Sequence, residues 1–231
     1  MTTPAAALDA ATGRLLATAR ALPAAAWSAP SLCAGWTRGH VLAHLALNAE
    51  GLAGVLRGYR DGTPVTMYSS DEARDGDIAV LATATPQEIL ARLVAGSARL
   101  AEVLDVAAGL APGSTFERTP GGQPMPADAV PHLRLREVEI HHADLGAGYT
   151  ASDWPPTTAL SFLRDEAERY DGPGFHVVAT DEPARWAFGS PGADAPTVSG
   201  PLGALAWWAT GRTAAPVVSS TTGTLPSLEG R

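Results

Sequence analysis

Arg134-Leu135-Arg136-Glu137-Val138-Glu139-Ile140-His141-His142-Ala143-Asp144-Leu145 is the stretch around which the rest of the chain is organised. Read as a helix, it places Glu137 and His141 at i and i+4, so a carboxylate and an imidazole project from one face, one turn apart. That is metal-ligand spacing. The pair shares its face with Val130, Leu133, Arg134 and Asp144, which aims the carboxylate at the core. Burying an unpaired carboxylate is costly, and a metal ion removes that cost. A second stretch, Trp36-Thr37-Arg38-Gly39-His40-Val41-Leu42-Ala43-His44-Leu45, carries two more histidines at i and i+4 on a helix. His44 adjoins Val41 and Leu45, whereas His40 lies in the first turn, where a histidine commonly faces water. His44 is therefore the preferred third ligand. Two histidines and one carboxylate leave coordination positions open, which marks a catalytic metal site over a structural one.

The neighbouring residues have plainer readings. Glu139 and His142, at i and i+3 on the opposite side, read as a solvated polar face because fewer apolar residues accompany them. His132 sits near a helix start and reads as structural or surface. Asp144, just under one turn beyond His141, is spaced to accept a hydrogen bond from a ring nitrogen and fix its tautomer. Cys33, between Leu32 and Ala34, reads as a small apolar filler. Arg212 either complements a helix C-terminus or anchors the carboxylate of a substrate.

Working outward, residues 5–22 form an Ala-rich helix stopped by Pro23, and Thr37 caps a second helix with Val41, Leu42, Leu45, Ala49, Leu52, Ala53 and Leu56 on its apolar face. Residues 58–84 read as a long connection with a short helix over 71–81, the kind of segment that serves as a lid. Thr85-Pro86-Gln87-Glu88 is a capping box with Pro at the first helical position, and the apolar spacing behind it runs to Gly109. Residues 112–126 are too rich in Gly and Pro for a helix or central strand and read as loop. A fourth helix starts near Asp128, tolerates Pro131 in its first turn and stops at Gly146. Four amphipathic helices with long connections make a bundle. Beyond Tyr149 the pattern changes to a helix after Pro155-Pro156, strands over 175–180, 184–188 and 196–199, a helix over 200–210, and a last strand at Val217-Val218. The expected class is α+β, with a four-helix bundle over 1–150 and a small α/β domain over 151–231.

At 231 residues, 45% of them hydrophobic, the chain can bury a substantial core. A formal net charge of −8 and no basic run exclude nucleic acid and anionic membrane as partners. No stretch approaches the ~20 apolar residues of a membrane span, and no leader pattern opens the chain. A cytoplasmic location is the default expectation, and the single cysteine, which permits no internal disulfide, agrees with it.

The stretches 35–45 and 135–145, with Leu205-Ala206-Trp207-Trp208-Ala209-Thr210-Gly211-Arg212, together resemble the mycothiol-dependent maleylpyruvate isomerase family over the whole chain. The resemblance implies a DinB-like bundle holding Zn2+ through His44, Glu137 and His141, a small α/β domain, and a catalytic arginine matched by Arg212. It also implies mycothiol as the thiol cofactor. A metal-activated thiolate would add to the cis double bond of a maleylpyruvate-type substrate, and rotation and elimination would follow. The expected partners are a small carboxylate substrate and a low-molecular-weight thiol, with the chain a monomer or weak dimer. Three alternatives remain: a mycothiol S-transferase conjugating electrophiles, a non-haem iron enzyme or metal-dependent hydrolase on the same ligands, and a binding protein without turnover.

Overall fold

The computed structural model describes residues 3–228. They divide into two compact units, the first ending at Gly148 and the second beginning at Tyr149.

In the first unit, α1 spans Pro4–Ala21, α2 Arg38–Arg60, α3 Asp71–Ala82, α4 Pro86–Ala101, α5 Leu104–Ala108 and α6 Val130–Asp144. A short antiparallel ribbon, β1 (Thr115–Glu117) and β2 (Pro124–Pro126), lies between α5 and α6. Helices α1, α2, α4 and α6 form the bundle: α2 packs on α4 and α6, and α1 packs on α6 and α4. The starts of the helices follow from their caps. Thr37 accepts from the His40 N–H and Thr85 from the Glu88 N–H, and in both cases the side chain three residues on returns the contact to the cap. Leu15, Leu42, Leu45, Ile89 and Leu93 are fully buried in the bundle core. At about 1.5–3 kcal/mol per buried side chain, this packing dominates the stability of the unit.

The first unit departs from the sequence expectation at two places. The helix expected to run from Thr85 to Gly109 breaks between Ala101 and Leu104: Val103 adopts φ −123° and ψ 5°, and α5 restarts as a separate turn. Residues 112–126, read as loop, contain the β1–β2 ribbon, whose Pro126 and Pro124 sit on a two-stranded edge where missing donors are tolerated. The ribbon also holds the long connection in place, because the Met67 and Tyr68 N–H groups donate to the Glu117 and Arg118 carbonyls. Gly51 on α2 lets that connection cross close by, since a Cβ there would meet Met67 Cγ at 2.8 Å.

In the second unit, α7 (Pro156–Arg169) and α8 (Leu202–Ala209) accompany a sheet of β3 (Phe175–Ala179), β4 (Arg185–Phe188), β5 (Thr197–Gly200) and β6 (Ser219–Ser220). The strand order is β4-β3-β5-β6, with β3 and β5 parallel and the outer pairs antiparallel. Phe175 and Phe188 stack at 4.9 Å, with Trp208 of α8 at 5.8 Å from Phe175. The last strand falls two residues beyond the expected Val217-Val218. Backbone pairing of Ser219 with Ser199 and Ser220 with Val198 decides its position, and Val218 is instead buried just ahead of it.

Candidate metal centre

His44 projects from the second turn of α2 and is almost fully buried; Glu137 and His141 lie one turn apart on α6. The structure brings all three together. His44 Nε2 stands 2.7 Å from Glu137 Oε2 and His141 Nε2 stands 3.6 Å from the same oxygen. The two imidazole rings meet edge to face at 4.7 Å. One ligand atom from each residue falls within 4.8 Å of the other two. Two nitrogens and a carboxylate oxygen so gathered suit a divalent ion that retains open positions.

Burial and neighbouring charges set the protonation of Glu137 and His44. Burial pushes the Glu137 carboxyl up, but the hydrogen bond from His44 and the nearby His44, His141 and Arg134 outweigh it and hold Glu137 well below the usual carboxylate range. It is an anion at neutral pH. Burial holds His44 below its ordinary value, against the opposing pull of Glu137, so its imidazole is neutral. On His141, Nδ1 lies 2.9 Å from Asp144 Oδ2, and Asp144 is fully buried. That contact places the ring proton on Nδ1 and leaves the Nε2 lone pair toward Glu137.

The loop before α2 closes one side. Gly35 adopts φ +76°, the left-handed turn that lets Trp36 N–H return to the Cys33 carbonyl at 3.0 Å. Trp36 then sits 5.6 Å from the His44 ring. Cys33, packed against the bundle core as a filler would be, also has Sγ 3.9 Å from His141 Nδ1, and with His141 and Asp144 it forms a second group of ligand type.

His40 is used elsewhere: its Nδ1 lies 2.8 Å from Thr37 Oγ1 and receives the Thr37 N–H at 3.4 Å, closing the helix cap. His132 is half-buried and belongs to neither group of ligand-type side chains among the described residues. The expectation of a solvated face at Glu139 and His142 is wrong. Both are buried against α1, where Arg14 donates to Glu139 at 2.6 Å and His142 Nε2 meets Thr18 Oγ1 at 2.7 Å. Helix α1 covers this face of α6, so Glu139 and His142 find partners on it.

Two residues that sequence reasoning missed adjoin the cluster. Arg74 of α3 brings Nη2 to 3.4 Å from His44 Nδ1, and its guanidinium lies 5.9 Å from the Tyr68 ring centroid. Tyr68 is pushed above its ordinary value by burial and by the Glu137 charge. Only their place in the expected lid segment pointed to them. Arg212, in the second unit, donates to the Thr210 carbonyl at 2.9 Å and lies 5.8 Å from the Trp207 ring centroid, just past the end of α8. No helix among the described residues is long and apolar enough to cross a membrane.

Residues 8–146 match the family described as mycothiol maleylpyruvate isomerase N-terminal domain. No curated protein matches the chain. Among solved structures, the chain is similar to a crystal structure of the mycothiol-dependent maleylpyruvate isomerase, with 28% identity, 98% of each chain covered and a TM-score of 0.83. A histidine-to-alanine mutant of that enzyme matches at 27% identity, 98% of each chain and a TM-score of 0.84.

Proposed function

From its membership of the mycothiol maleylpyruvate isomerase family, we propose that the chain is a zinc-dependent, mycothiol-using cis–trans isomerase of maleylpyruvate-type substrates. The observation that carries this reading is the convergence of His44, Glu137 and His141 to within 4.8 Å. The donor set fits the ion: two imidazoles, that of His44 neutral, and one ionised carboxylate. His44 Nε2, Glu137 Oε2 and His141 Nε2 would hold it. A zinc ion on such ligands keeps a net positive charge and lowers the pKa of a bound thiol, so that a thiolate is available at neutral pH.

The residues around the ligands have separate tasks. Asp144 holds the His141 proton on Nδ1 and so keeps Nε2 free for the ion. Trp36 covers the His44 ring and excludes water from that side. Arg74, whose Nη1 donates to the exposed Asp75 at 2.6 Å, sets its positive charge next to His44, where exchange of Asp75 for a carboxylate of the substrate would anchor that substrate. Arg212 is assigned as the catalytic cation that offsets negative charge developing on the substrate. The low-molecular-weight thiol and a small carboxylate are the partners this chemistry requires.

The test is a product assay with purified protein, zinc, mycothiol and maleylpyruvate. Isomer formed with the thiol returned in full supports the proposal. Thiol consumed in step with substrate would make the chain an S-transferase instead, and no turnover with zinc bound would contradict both.

A further inference from the structure

The loop before α2 brings a second cluster of ligand-type side chains to His141, at the ring nitrogen that Glu137 does not face. Cys33 Sγ lies 3.9 Å from His141 Nδ1, and Asp144 Oδ2 lies 2.9 Å from the same nitrogen. One ligand atom from each of the three falls within 4.8 Å of the other two. Tetrahedral zinc, at about 2.3 Å from sulfur and about 2.0–2.1 Å from nitrogen or oxygen, sets sulfur–nitrogen and nitrogen–oxygen separations of about 3.6 and 3.4 Å. Side-chain movements of about half an ångström bring the three atoms to those values. The backbone around them is already fixed. The Leu32 N–H donates to the Asp144 carbonyl at 2.7 Å, and Arg38 donates from Nε to the Leu145 carbonyl at 2.7 Å and from Nη2 to the Gly146 carbonyl at 2.9 Å. Ser31 Oγ accepts the Cys33 N–H at 3.2 Å. The cysteine loop is thus pinned to the end of α6 that carries His141 and Asp144, which lowers the cost of assembling a site there. Cys33 is half-buried and the His141 side chain is 17% exposed, so an ion can reach the cluster from solvent.

We propose that Cys33, His141 Nδ1 and Asp144 form a second metal site, for a thiophilic ion such as Zn2+ or Cd2+, and that filling it switches the first centre off. A thiolate selects soft ions over Mg2+ or Ca2+, and a thiolate with a carboxylate matches the charge of a divalent ion. Cys33 gives its proton to solvent on binding. A neutral imidazole carries one proton, on one nitrogen or the other. An ion on Nδ1 therefore puts that proton on Nε2, where it faces Glu137 Oε2 at 3.6 Å. His141 then has no lone pair left for an ion held by His44 and Glu137, and Asp144, turned to the new ion, no longer fixes the other tautomer. The two sites exclude each other through one imidazole. The second site stands on its own three ligands and does not rest on the isomerase reading.

The test is a Cd2+ titration of the full-length protein, read by sulfur-to-cadmium charge-transfer absorption. Cys33 is the single cysteine of the chain, so the band reports this site alone. In Glu137→Ala, which has lost the carboxylate of the first centre, the band should saturate at about one equivalent of cadmium. His141→Ala and Asp144→Ala keep the thiol but lose a ligand, and each should need at least about tenfold more cadmium than Glu137→Ala to reach half the band. Should Asp144→Ala fail to fold, His141→Ala decides alone. In the zinc-loaded wild type the band should grow as zinc is lost from the desalted protein, while Cys33→Ser keeps its zinc at the same cadmium concentration. Equal cadmium affinity in Glu137→Ala and His141→Ala would leave a lone thiol with an adventitious ion only. That result, no band in Glu137→Ala, or zinc lost equally from Cys33→Ser would each overturn the proposal. A wild type that takes up no zinc at the first centre contradicts the isomerase reading, and the comparison of Glu137→Ala with His141→Ala still decides the second site.

Discussion

Asp144 Oδ2 lies 2.9 Å from His141 Nδ1, so the nitrogen that His141 turns toward Glu137 is the one left with a lone pair. The relationship makes the imidazole a prepared ligand and gives Asp144 a function that its complete burial alone would not reveal. Asp144→Asn keeps the shape but lets the side chain present an N–H. Metal affinity, measured by competition with a chromophoric chelator, should fall by roughly 10–100-fold with the bundle still folded. An unchanged affinity would remove Asp144 from the account.

Arg74 acts on the other imidazole in the opposite sense. Its Nη2 faces His44 Nδ1 at 3.4 Å, a geometry that favours the proton on Nε2, where Glu137 accepts it. That tautomer is the wrong one for binding an ion through Nε2. Arg74→Gln should tighten zinc binding several-fold, while raising KM for a carboxylate substrate more than it lowers kcat, because an anion anchor acts mainly in binding. A variant with weaker zinc binding and unaltered KM would refute the role.

The two faces of α6 separate cleanly by mutation. Glu139 is fully buried and ion-paired with the partly exposed Arg14, away from the metal ligands. Glu139→Ala should lower stability by about 1–3 kcal/mol through the lost hydrogen bond and the space left behind, read from denaturant midpoints. Its metal content should equal that of the wild type. Reduced metal in this variant would mean that the faces are not independent.

Acid should destabilise the metal-free protein through both members of the His44–Glu137 pair. Burial holds His44 below 6.5, so the unfolded chain takes up its proton first and stability declines as the pH drops below that value. Glu137 lies below its ordinary 4.5, so the same sign holds for it, and the loss deepens as the pH falls past 4.5. The melting temperature of chelator-treated protein should be flat above pH 7 and fall below 6.5. In His44→Gln the first part of that fall should be absent. A melting temperature that rises on acidification would contradict the assignment.

Much of this was legible because it is written in local spacing. The Thr85–Glu88 capping box and the Thr37 cap set helix starts where the structure has them, and the period of α6 alone places Glu137 beside His141. What failed was non-local. Glu139 and His142 look like a solvated face until α1 is laid over them, and nothing in the sequence near α6 announces that helix. The break at Val103 interrupts an apolar pattern that continues across it, because Leu104 and Ala107 still face the core from a re-aimed turn. Arg74 was hidden by its position in a segment without periodicity, brought to His44 by tertiary packing.

The metal content of the purified protein beside its Glu137→Ala variant tests the central claim most directly. Glu137 Oε2 is the atom that both candidate imidazoles approach, at 2.7 and 3.6 Å. The account predicts about one equivalent of zinc per chain in the wild type, as for a three-ligand catalytic site, and its loss in the variant with the helical content unchanged. Equal metal in the two proteins, or none in either after zinc supplementation, would contradict it.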